Sequence, residues 1–321
     1  MITIGIVGYG NLGRGVELAL KKQKDMNLFG VFSKRDPQTV ETQGAKVYHY
    51  DELITFKNDI DVLILCGSSE RDLRTQSPQL SENFNIVDSF DMHAIILDHV
   101  DKVHEVAHRH EHTALVSVGW DPGIFSTQKT IMDAILPDGE TQTFWGSGIS
   151  QGHSDVASRV EGVIMARSYT IPNEENIAHF KSFEDFDASL NHHKICYVVK
   201  EDQYDEETIE SAILDIPHYF KNTSAEIRFI SMETMNEEHQ AWPQKGRIIH
   251  RAHTSEAIKH TVEYTVTLKS NPEFTASNLV AFARANYKMN QRQCYGAFTA
   301  LDVSASDLSS KTRETLIKEM L

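Results

Sequence analysis

A glycine-rich turn near the start of the chain constrains the fold more than any other feature. Residues 8–13 read GYGNLG and lie between an apolar run, ITIGIV, and an amphipathic helical pattern. The first glycine suits a tight turn, the second lets the backbone approach a phosphate, and the third lets the helix pack closely on the strand. The turn therefore predicts a dinucleotide-binding site, with a glycine turn that binds nothing as the alternative. The predicted cofactor-binding residues of this turn are Gly8, Tyr9, Gly10, Asn11, Leu12 and Gly13.

The first 120 residues alternate short apolar runs with amphipathic stretches, and the later runs are NLFGVFS, DVLILC, NIVDS and TALVSVG. Short apolar runs separated by helices are typical of a parallel sheet buried on both faces. Right-handed crossovers between such strands give a Rossmann-type, doubly wound α/β domain. Its helices are predicted from Asn11 to about Lys24, near 70–83 and near 93–110.

From about residue 141 apolar and polar residues alternate, which is typical of half-exposed antiparallel strands. The strand candidates are TQTFWG, KICYVVK, AEIRFIS and HTVEYTVTLK, with helices near 204–215, 276–290 and 308–320. We therefore predict a second α+β domain with a mostly antiparallel sheet, and then a return to the first domain. The predicted division is a dinucleotide-binding domain at 1–121 plus 276–321 and a substrate-binding and dimerisation domain at 122–275.

The balance of charges excludes several classes of partner. The 321 residues include 31 basic and 46 acidic side chains, a formal charge of −15. So acidic a chain lacks the electrostatic surface that binds nucleic acid or anionic lipid. No apolar run approaches the roughly 20 residues that span a bilayer, and no secretory signal pattern opens the sequence. The three cysteines lie far apart. We expect a soluble, cytoplasmic protein without disulfides.

The end of the second strand indicates which dinucleotide is bound. NAD-binding domains usually carry Asp or Glu about 20 residues after the turn, where this chain has Ser33, Lys34 and Arg35. These side chains can bind a 2′-phosphate that a carboxylate would repel, so we predict NADP(H), with solvated loop charges as the alternative. Four more predicted cofactor residues follow the fourth strand, where such a sheet exposes its loops to a ligand: Cys66, Gly67, Ser68 and Ser69.

Acidic residues follow two further strands of the predicted sheet. Asp88 and Asp91 come after one strand, and Asp121 comes after the next. Two carboxylates beside a nicotinamide site can hold a substrate ammonium and orient its α-carbon. The alternatives are a helix cap or turn acid for Asp88 and a structural turn for Asp121, which precedes Pro-Gly.

Two tryptophans lie in glycine-flanked turns and not in an apolar core pattern. Trp120 and Trp145 are so placed, which suits the walls of a pocket and equally a packed interface. Residues 144–155 lack periodicity and predict a ligand-binding loop, because their backbone groups need partners. His104 and His108 lie one helical turn apart without the acid-histidine motif of zinc hydrolases, so a solvated crossover helix without metal is expected.

Five segments in order along the chain resemble one known family. GYGNLGRG, VDSFDMH, SVGWDPG, TFWGSGISQGHSD and NPEFTAS are similar to segments of meso-diaminopimelate dehydrogenases, and the resemblance covers essentially the whole length. It implies a homodimer of two-domain subunits that uses NADP+ to deaminate the D-centre of meso-2,6-diaminopimelate reversibly. The implied products are L-2-amino-6-oxopimelate, ammonia and NADPH.

The resemblance also implies roles for individual residues. Asp91 and Asp121 would bind substrate amino groups, while Thr170 and Asn271 would fix the polar ends of the substrate. The residues that would shape the pocket are Trp120, Trp145, Gln151, Gly152 and Asp155.

Two positions depart from the family pattern. Lys194 stands where an arginine is common, and Gln244 stands where a histidine is common; both positions contact a substrate carboxylate in the family. Lysine pairs with a carboxylate without a planar fork, and glutamine keeps a donor without a charge. Lys245 is the candidate for a replacement cation.

Two other functions fit the same residues. Lys194 and Gln244 motivate a sister dehydrogenase for another D-amino acid, a diamine or an amino ketone. A sensor that binds NADP(H) without turnover is the second alternative, and the substrate-pocket segments argue against it. Water, one of the aspartates and His153 are all admissible as the general base.

Overall fold

The computed structural model describes residues 1–217, 219–221 and 223–321. The chain divides into two compact units. Unit 1 comprises Met1–Thr130 and Pro272–Leu321, and unit 2 comprises Ile131–Asn271. Within the described ranges, no helix combines the length and the apolar character needed to cross a membrane.

The strands are, in chain order, β1 (Ile2–Val7), β2 (Met26–Ser33), β3 (Val47–His49), β4 (Val62–Leu65), β5 (Ile86–Asp88), β6 (Thr113–Leu115), β7 (Glu140–Trp145), β8 (Gly148–Ser150), β9 (Val163–Pro172), β10 (His192–Lys200), β11 (Ala225–Phe229), β12 (Gln244–Ser255), β13 (Ile258–Leu268) and β14 (Gly296–Phe298). The helices are α1 (Asn11–Leu20), α2 (Arg74–Leu80), α3 (Ile96–Arg109), α4 (Ile124–Ile135), α5 (Gln151–Ser158), α6 (Glu174–Ser182), α7 (Glu206–Leu214), α8 (Met232–Glu238), α9 (Asn271–Gln291), α10 (Ala305–Leu308) and α11 (Arg313–Met320).

Unit 1 is built on a parallel sheet of seven strands in the order β14-β6-β5-β4-β1-β2-β3. Successive residues of a strand face opposite sides, so Ile4 and Ile64 pack in one core while Leu63 and Leu65 pack in the other. Burial of both faces explains the continuous apolar runs and confirms the Rossmann-type fold. The strand order reverses between β1 and β4, and ligands of such sheets bind at the carboxyl ends beside that switch point.

Unit 2 contains two smaller sheets. One has the order β11-β10-β9-β8, in which only the β10–β11 pair is parallel among its described strands. The other has the order β13-β12-β7 and is antiparallel throughout. The α5 and α7 helices cover the first sheet over a core that includes Cys196 and Ile213, and Phe144, Phe180 and Ile249 form a core on the second. The prediction of a mostly antiparallel α+β unit is confirmed.

The segment at 144–155 is not the loop that its lack of periodicity predicts. Gly148–Ser150 pairs with β9 as strand β8, and α5 begins at Gln151. The Ser150 side chain caps that helix by accepting a hydrogen bond from the His153 N–H. A three-residue strand and a short capped helix are too brief to show a period in the sequence.

Candidate functional site

The glycines of the 8–13 turn have the geometry that their spacing predicts. Gly8 has φ of +89°, a conformation that favours glycine. A Cβ atom at Gly13 would lie 2.3 Å from the Gly8 carbonyl oxygen, so only glycine lets α1 approach the turn so closely. At Gly10 an added Cβ would meet no atom of the described residues within 4 Å, which leaves open space above its backbone. The open space and the α1 N-terminus fit a dinucleotide phosphate.

A buried acid that sequence reasoning missed holds this turn in place. Glu17 is 1% exposed, and its carboxylate accepts hydrogen bonds from the Tyr9 hydroxyl at 2.5 Å and from the backbone N–H groups of Gln43 and Ala45 at 3.0 and 3.1 Å. Burial, together with the bond to Glu17, raises the pKa of Tyr9 to about 12. Tyr9 therefore supports the turn from inside. Leu12 packs against the same core, and Asn11 is exposed.

The end of β2 presents two exposed cations near the turn. The Ser33 hydroxyl is buried and accepts a hydrogen bond from the Arg35 N–H at 3.1 Å. The Arg35 guanidinium donates to the Tyr9 carbonyl oxygen at 2.7 Å, which ties the strand end to the phosphate turn. Lys34 lies 3.8 Å from an Asp72 carboxylate oxygen and 5.4 Å from the Tyr50 ring centroid. The structure thus brings Ser33 and Arg35 to the turn and leaves both cations exposed to a ligand.

The loop after β4 is held by the same Asp72. The Ser68 N–H donates to its carboxylate at 3.0 Å, and a Cβ at Gly67 would lie 2.6 Å from the Asp72 Cβ. Burial raises the pKa of the Cys66 thiol, which keeps it protonated. The Ser69 hydroxyl accepts a hydrogen bond from the Asp91 N–H at 3.1 Å. This bond joins the loop after β4 to the loop that carries Asp91.

The three acids at the strand ends differ in exposure. Asp88 is fully buried and hydrogen-bonded inside the unit, so its interpretation as a substrate ligand is wrong. Asp91 is exposed. The Asp121 side chain is 10% exposed and lies 3.6 Å from the Lys129 ammonium, a partner that sequence reasoning missed. Burial raises the pKa of Asp121, and the charges of Lys129 and His93 oppose that rise.

Trp120 packs in the interior of unit 1. Trp120 is 7% exposed, and its ring packs edge-to-face on Phe125 with 5.1 Å between centroids. It immediately precedes Asp121, so its packing fixes the backbone from which that carboxylate projects.

In unit 2 two predicted site residues, Thr170 and Lys194, lie in a row with Gly148 across three neighbouring strands of the four-stranded sheet. Gly148 pairs with Thr170, and Thr170 pairs with Lys194, so these residues lie side by side on one face. A Cβ at Gly148 would lie 1.9 Å from the Gln244 Oε1, which places the Gln244 amide beside the row. The structure therefore brings Thr170, Lys194 and Gln244 together.

Two histidines complete this cluster, and both are neutral at ordinary pH. His192 Nε2 accepts a hydrogen bond from the Trp145 N–H at 2.6 Å, which holds Trp145 beside the row. Burial and then the charge of Lys194 lower the pKa of His192 and of His153 to about 4 in each case. Burial likewise lowers the pKa of Lys194. Among the residues that the structure describes, the cluster thus offers one cation, Lys194, beside neutral donors and acceptors.

The hydrogen bonds of His153 weigh against it as the general base. Its Nε2 lies 3.0 Å from the Tyr219 carbonyl oxygen, which can only accept, so Nε2 carries the proton. Its Nδ1 then accepts from the Ser150 hydroxyl at 2.7 Å. Both ring nitrogens are engaged, and a base with a pKa of about 4 is weak. Water and the aspartates remain as candidates.

The other predicted residues of unit 2 have different environments. Gly152 is exposed, and Asp155 is exposed and ion-paired with Arg159 one turn later. The Asn271 N–H donates to the Trp242 carbonyl oxygen at 2.9 Å. Gln151 begins α5, and its side chain lies outside the described part of the chain. Lys245 follows Gln244 in β12 and so faces the opposite side of that sheet; it does not replace the missing cation.

The class of protein follows from three features: a doubly wound sheet, a glycine turn that fits phosphate, and acids that follow two neighbouring strands. Together they define a nicotinamide-dinucleotide-dependent dehydrogenase. Comparisons with known proteins give the family. The model of the diaminopimelic acid dehydrogenase C-terminal domain matches residues 119–270. The chain is 44% identical to the meso-diaminopimelate D-dehydrogenase of Ureibacillus thermosphaericus, over 100% of this chain and 99% of that one. It therefore belongs to the meso-diaminopimelate D-dehydrogenase family and is an amino-acid dehydrogenase.

Solved structures agree with this assignment. A mutant meso-DAP dehydrogenase from Clostridium tetani, crystallised with DAP, matches with a TM-score of 0.94 and 41% identity over 100% of both chains. An engineered D-amino acid dehydrogenase bound to NADP+ matches with a TM-score of 0.89 and 38% identity, over 100% of this chain and 99% of that one.

Proposed function

We propose that this protein catalyses the reversible, NADP+-dependent oxidative deamination of the D-centre of meso-2,6-diaminopimelate. The products are L-2-amino-6-oxopimelate, ammonia and NADPH. The observation that carries the proposal is the full-length similarity to meso-diaminopimelate D-dehydrogenases, combined with a glycine turn and strand-end acids of the required chemistry.

Unit 1 is the dinucleotide-binding domain in this proposal. The turn at 8–13 and the α1 N-terminus hold the pyrophosphate, while Ser33, Lys34 and Arg35 bind the 2′-phosphate through charge-assisted hydrogen bonds. The loop at 66–69 borders the same strand ends. When bound, NADP+ supplies the hydride acceptor for the reaction.

Asp91 and Asp121 bind and orient the substrate amine. A charge-assisted hydrogen bond to a mostly buried carboxylate compensates the ammonium ion for its lost hydration. The same bond holds the amine in one place and so orients the α-carbon. Asp121 must be ionised for this purpose; burial raises its pKa, and the Lys129 ammonium at 3.6 Å opposes that rise. The amine must also lose a proton before the α-carbon can be oxidised, and water or one of the aspartates takes it.

Unit 2 is the substrate-binding and dimerisation domain. Lys194 pairs with a substrate carboxylate, and Thr170, Gln244 and Asn271 supply hydrogen bonds to the polar ends. Within unit 2, Trp145, Gly152 and Asp155 are the further candidate substrate contacts. The homodimer that the family resemblance implies is part of this proposal. We place the enzyme in the cytoplasm, with its NADP(H).

The experiment that tests the proposal follows NADPH formation at 340 nm with the meso, L,L and D,D isomers of diaminopimelate and with D-lysine. We expect turnover of the meso isomer and none of the L,L isomer, which has no D-centre. Better turnover of D-lysine would identify a sister dehydrogenase, consistent with Lys194 and Gln244. No turnover with NADPH binding retained would identify a sensor.

The choice of cofactor is tested by Lys34→Glu. Lys34 is 64% exposed, so the variant folds, but its carboxylate repels a 2′-phosphate. We expect the Kd for NADP+ to rise at least about tenfold, the equivalent of about 1.4 kcal/mol, and the Kd for NAD+ to stay unchanged or fall. Lys22→Glu makes the same change of charge at another exposed position and serves as the control. Equal losses in both variants would show that Lys34 acts only through net charge.

The role of Lys129 predicts a shift in pH dependence. Activity falls as the pH drops through the pKa of Asp121, because the protonated acid cannot pair with an ammonium. Lys129 lowers that pKa, so Lys129→Met should move the acid limb of the kcat/KM profile to higher pH. His93, the other cation facing Asp121, is unchanged in this variant. An unmoved acid limb would show that Asp121 does not control it.

A further inference from the structure

One buried carboxylate accepts hydrogen bonds from four segments of unit 1. Asp88 ends β5 and is fully buried. Its Oδ1 accepts from the backbone N–H groups of Phe90 and Ser117, at 3.0 and 2.8 Å. Its Oδ2 accepts from the Ser77 hydroxyl at 2.5 Å and lies 2.9 Å from His99 Nε2. These donors come from α2, α3 and the two segments that follow β5 and β6.

The two backbone bonds fix the segments that lead to the proposed amine ligands. Phe90 immediately precedes Asp91, and Ser117 opens the segment that leads to Asp121. Ser117 has φ of +54°, a left-handed conformation that is strained for a residue with a side chain. Asp88 secures that conformation on both sides, because its carbonyl oxygen also accepts from the Val118 N–H at 3.0 Å.

A second contact, between the rings of His99 and Phe90, supports the segment that follows β5. The His99 ring stacks on the Phe90 ring with 3.9 Å between centroids and 12° between planes. His99 is 4% exposed, and its Nε2 donates to Asp88. The ring therefore holds both the carboxylate and the residue next to Asp91.

We propose that Asp88, oriented by Ser77 and His99, is a positioning residue that holds Asp91 and Asp121 at a fixed separation for the substrate amine. The proposal rests on the proposed function. Asp88 itself does not touch the substrate, since it is fully buried. A carboxylate suits the position, because four hydrogen-bond donors converge on it and its two oxygens can accept all of them.

The test is Asp88→Asn, compared with a substitution at a buried residue that binds the opposite ends of β5 and β6. Asparagine replaces Oδ2 by an NH2 group, so the oxygen that accepts from Ser77 and His99 is lost. The control is Asn286→Ala: Asn286 is also fully buried, and its amide donates to the carbonyl oxygens of Ile86 and Thr113 at 2.9 and 2.8 Å, where β5 and β6 begin. Both variants should lose stability, and only Asp88→Asn should disturb the amine ligands.

We expect Asp88→Asn to raise the KM for meso-diaminopimelate at least tenfold, with the Kd for NADP+ within twofold of wild type, at a temperature well below the Tm of each variant. Asn286→Ala should leave the substrate KM within twofold. A KM that rises in both variants, or in neither, overturns the proposal. Loss of turnover in the wild type would instead refute the proposed function.

If Asp88→Asn does not fold, a pair of substitutions at His99 gives the same test. His99→Gln keeps an N–H donor for Asp88, and His99→Leu removes it. The substrate KM should rise in His99→Leu and be largely restored in His99→Gln. Equal KM values in the two variants overturn the proposal, because a purely packing role does not distinguish a donor from a methyl group.

Discussion

Asp121→Asn is expected to lower kcat/KM for meso-diaminopimelate at least about 100-fold while the Kd for NADP+ stays within twofold of wild type. Asparagine keeps the size of the side chain but loses the charge that pairs with the substrate ammonium. Truncating one partner of a buried, hydrogen-bonded charge pair costs about 2–5 kcal/mol, which corresponds to a factor of about 30 to several thousand. Steady-state kinetics and a calorimetric titration with NADP+ measure the two quantities.

The matched control is Asp133→Asn, which makes the same chemical change at an exposed position of α4. It should leave both quantities unchanged. A collapse of NADP+ binding in Asp121→Asn would show that this acid stabilises the fold of the strand ends and does not bind the amine.

Two glycine substitutions separate cofactor binding from folding. Gly10→Ala adds a methyl group where no atom of the described residues lies within 4 Å, and φ of −98° is accessible to alanine. The protein should keep its Tm, but the methyl group occupies the space that a phosphate needs, so the Kd for NADP+ should rise at least about tenfold, an overpacking cost of about 1–3 kcal/mol.

Gly13→Ala should weaken binding and lower the Tm as well, because its Cβ would lie 2.3 Å from the Gly8 carbonyl oxygen. Thermal unfolding with and without NADP+ gives both values for each variant. Gly10→Ala with wild-type affinity would show that the pyrophosphate does not approach this backbone.

The fold was predictable where the burial of a strand produces a regular pattern of apolar and polar residues in the sequence. Runs such as DVLILC are apolar because β4 is covered on both faces. In HTVEYTVTLK apolar and polar residues alternate, because β13 is not covered on both faces. The short β8 strand and α5 were missed, since the first exists through its pairing with β9 and the second through its Ser150 cap. Neither interaction leaves a period to detect.

The cofactor turn was predictable because its chemistry is local in sequence. Glu17 was missed although a signal exists: it follows Gly13 by four residues and Val16 by one, so it lies on the buried face of α1. An acid on such a face needs internal partners. Lys129 leaves no comparable signal, because its pairing with Asp121 depends on how α4 follows the turn.

Asp88 and Asp91 show the limit of sequence reasoning at the strand ends. Asp88 ends β5 and Asp91 follows three residues later, yet the first is fully buried and the second exposed. Which of them turns inward depends on donors from α2, α3 and the end of β6, which are distant in sequence. The same holds in unit 2 for Lys194, whose charge acts on His153 of α5, a residue distant from it in sequence.

The central claim is that the D-centre of meso-diaminopimelate is oxidised by NADP+. The most direct measurement incubates the enzyme and NADP+ with substrate deuterated at the α-carbon of one centre only, and determines the mass of the NADPH and the amount of ammonia. We predict that the NADPH is one mass unit heavier when the D-centre is labelled, has its ordinary mass when the L-centre is labelled, and forms in equal amount to ammonia. Label from the L-centre in the NADPH, or no NADPH at all, would contradict the claim.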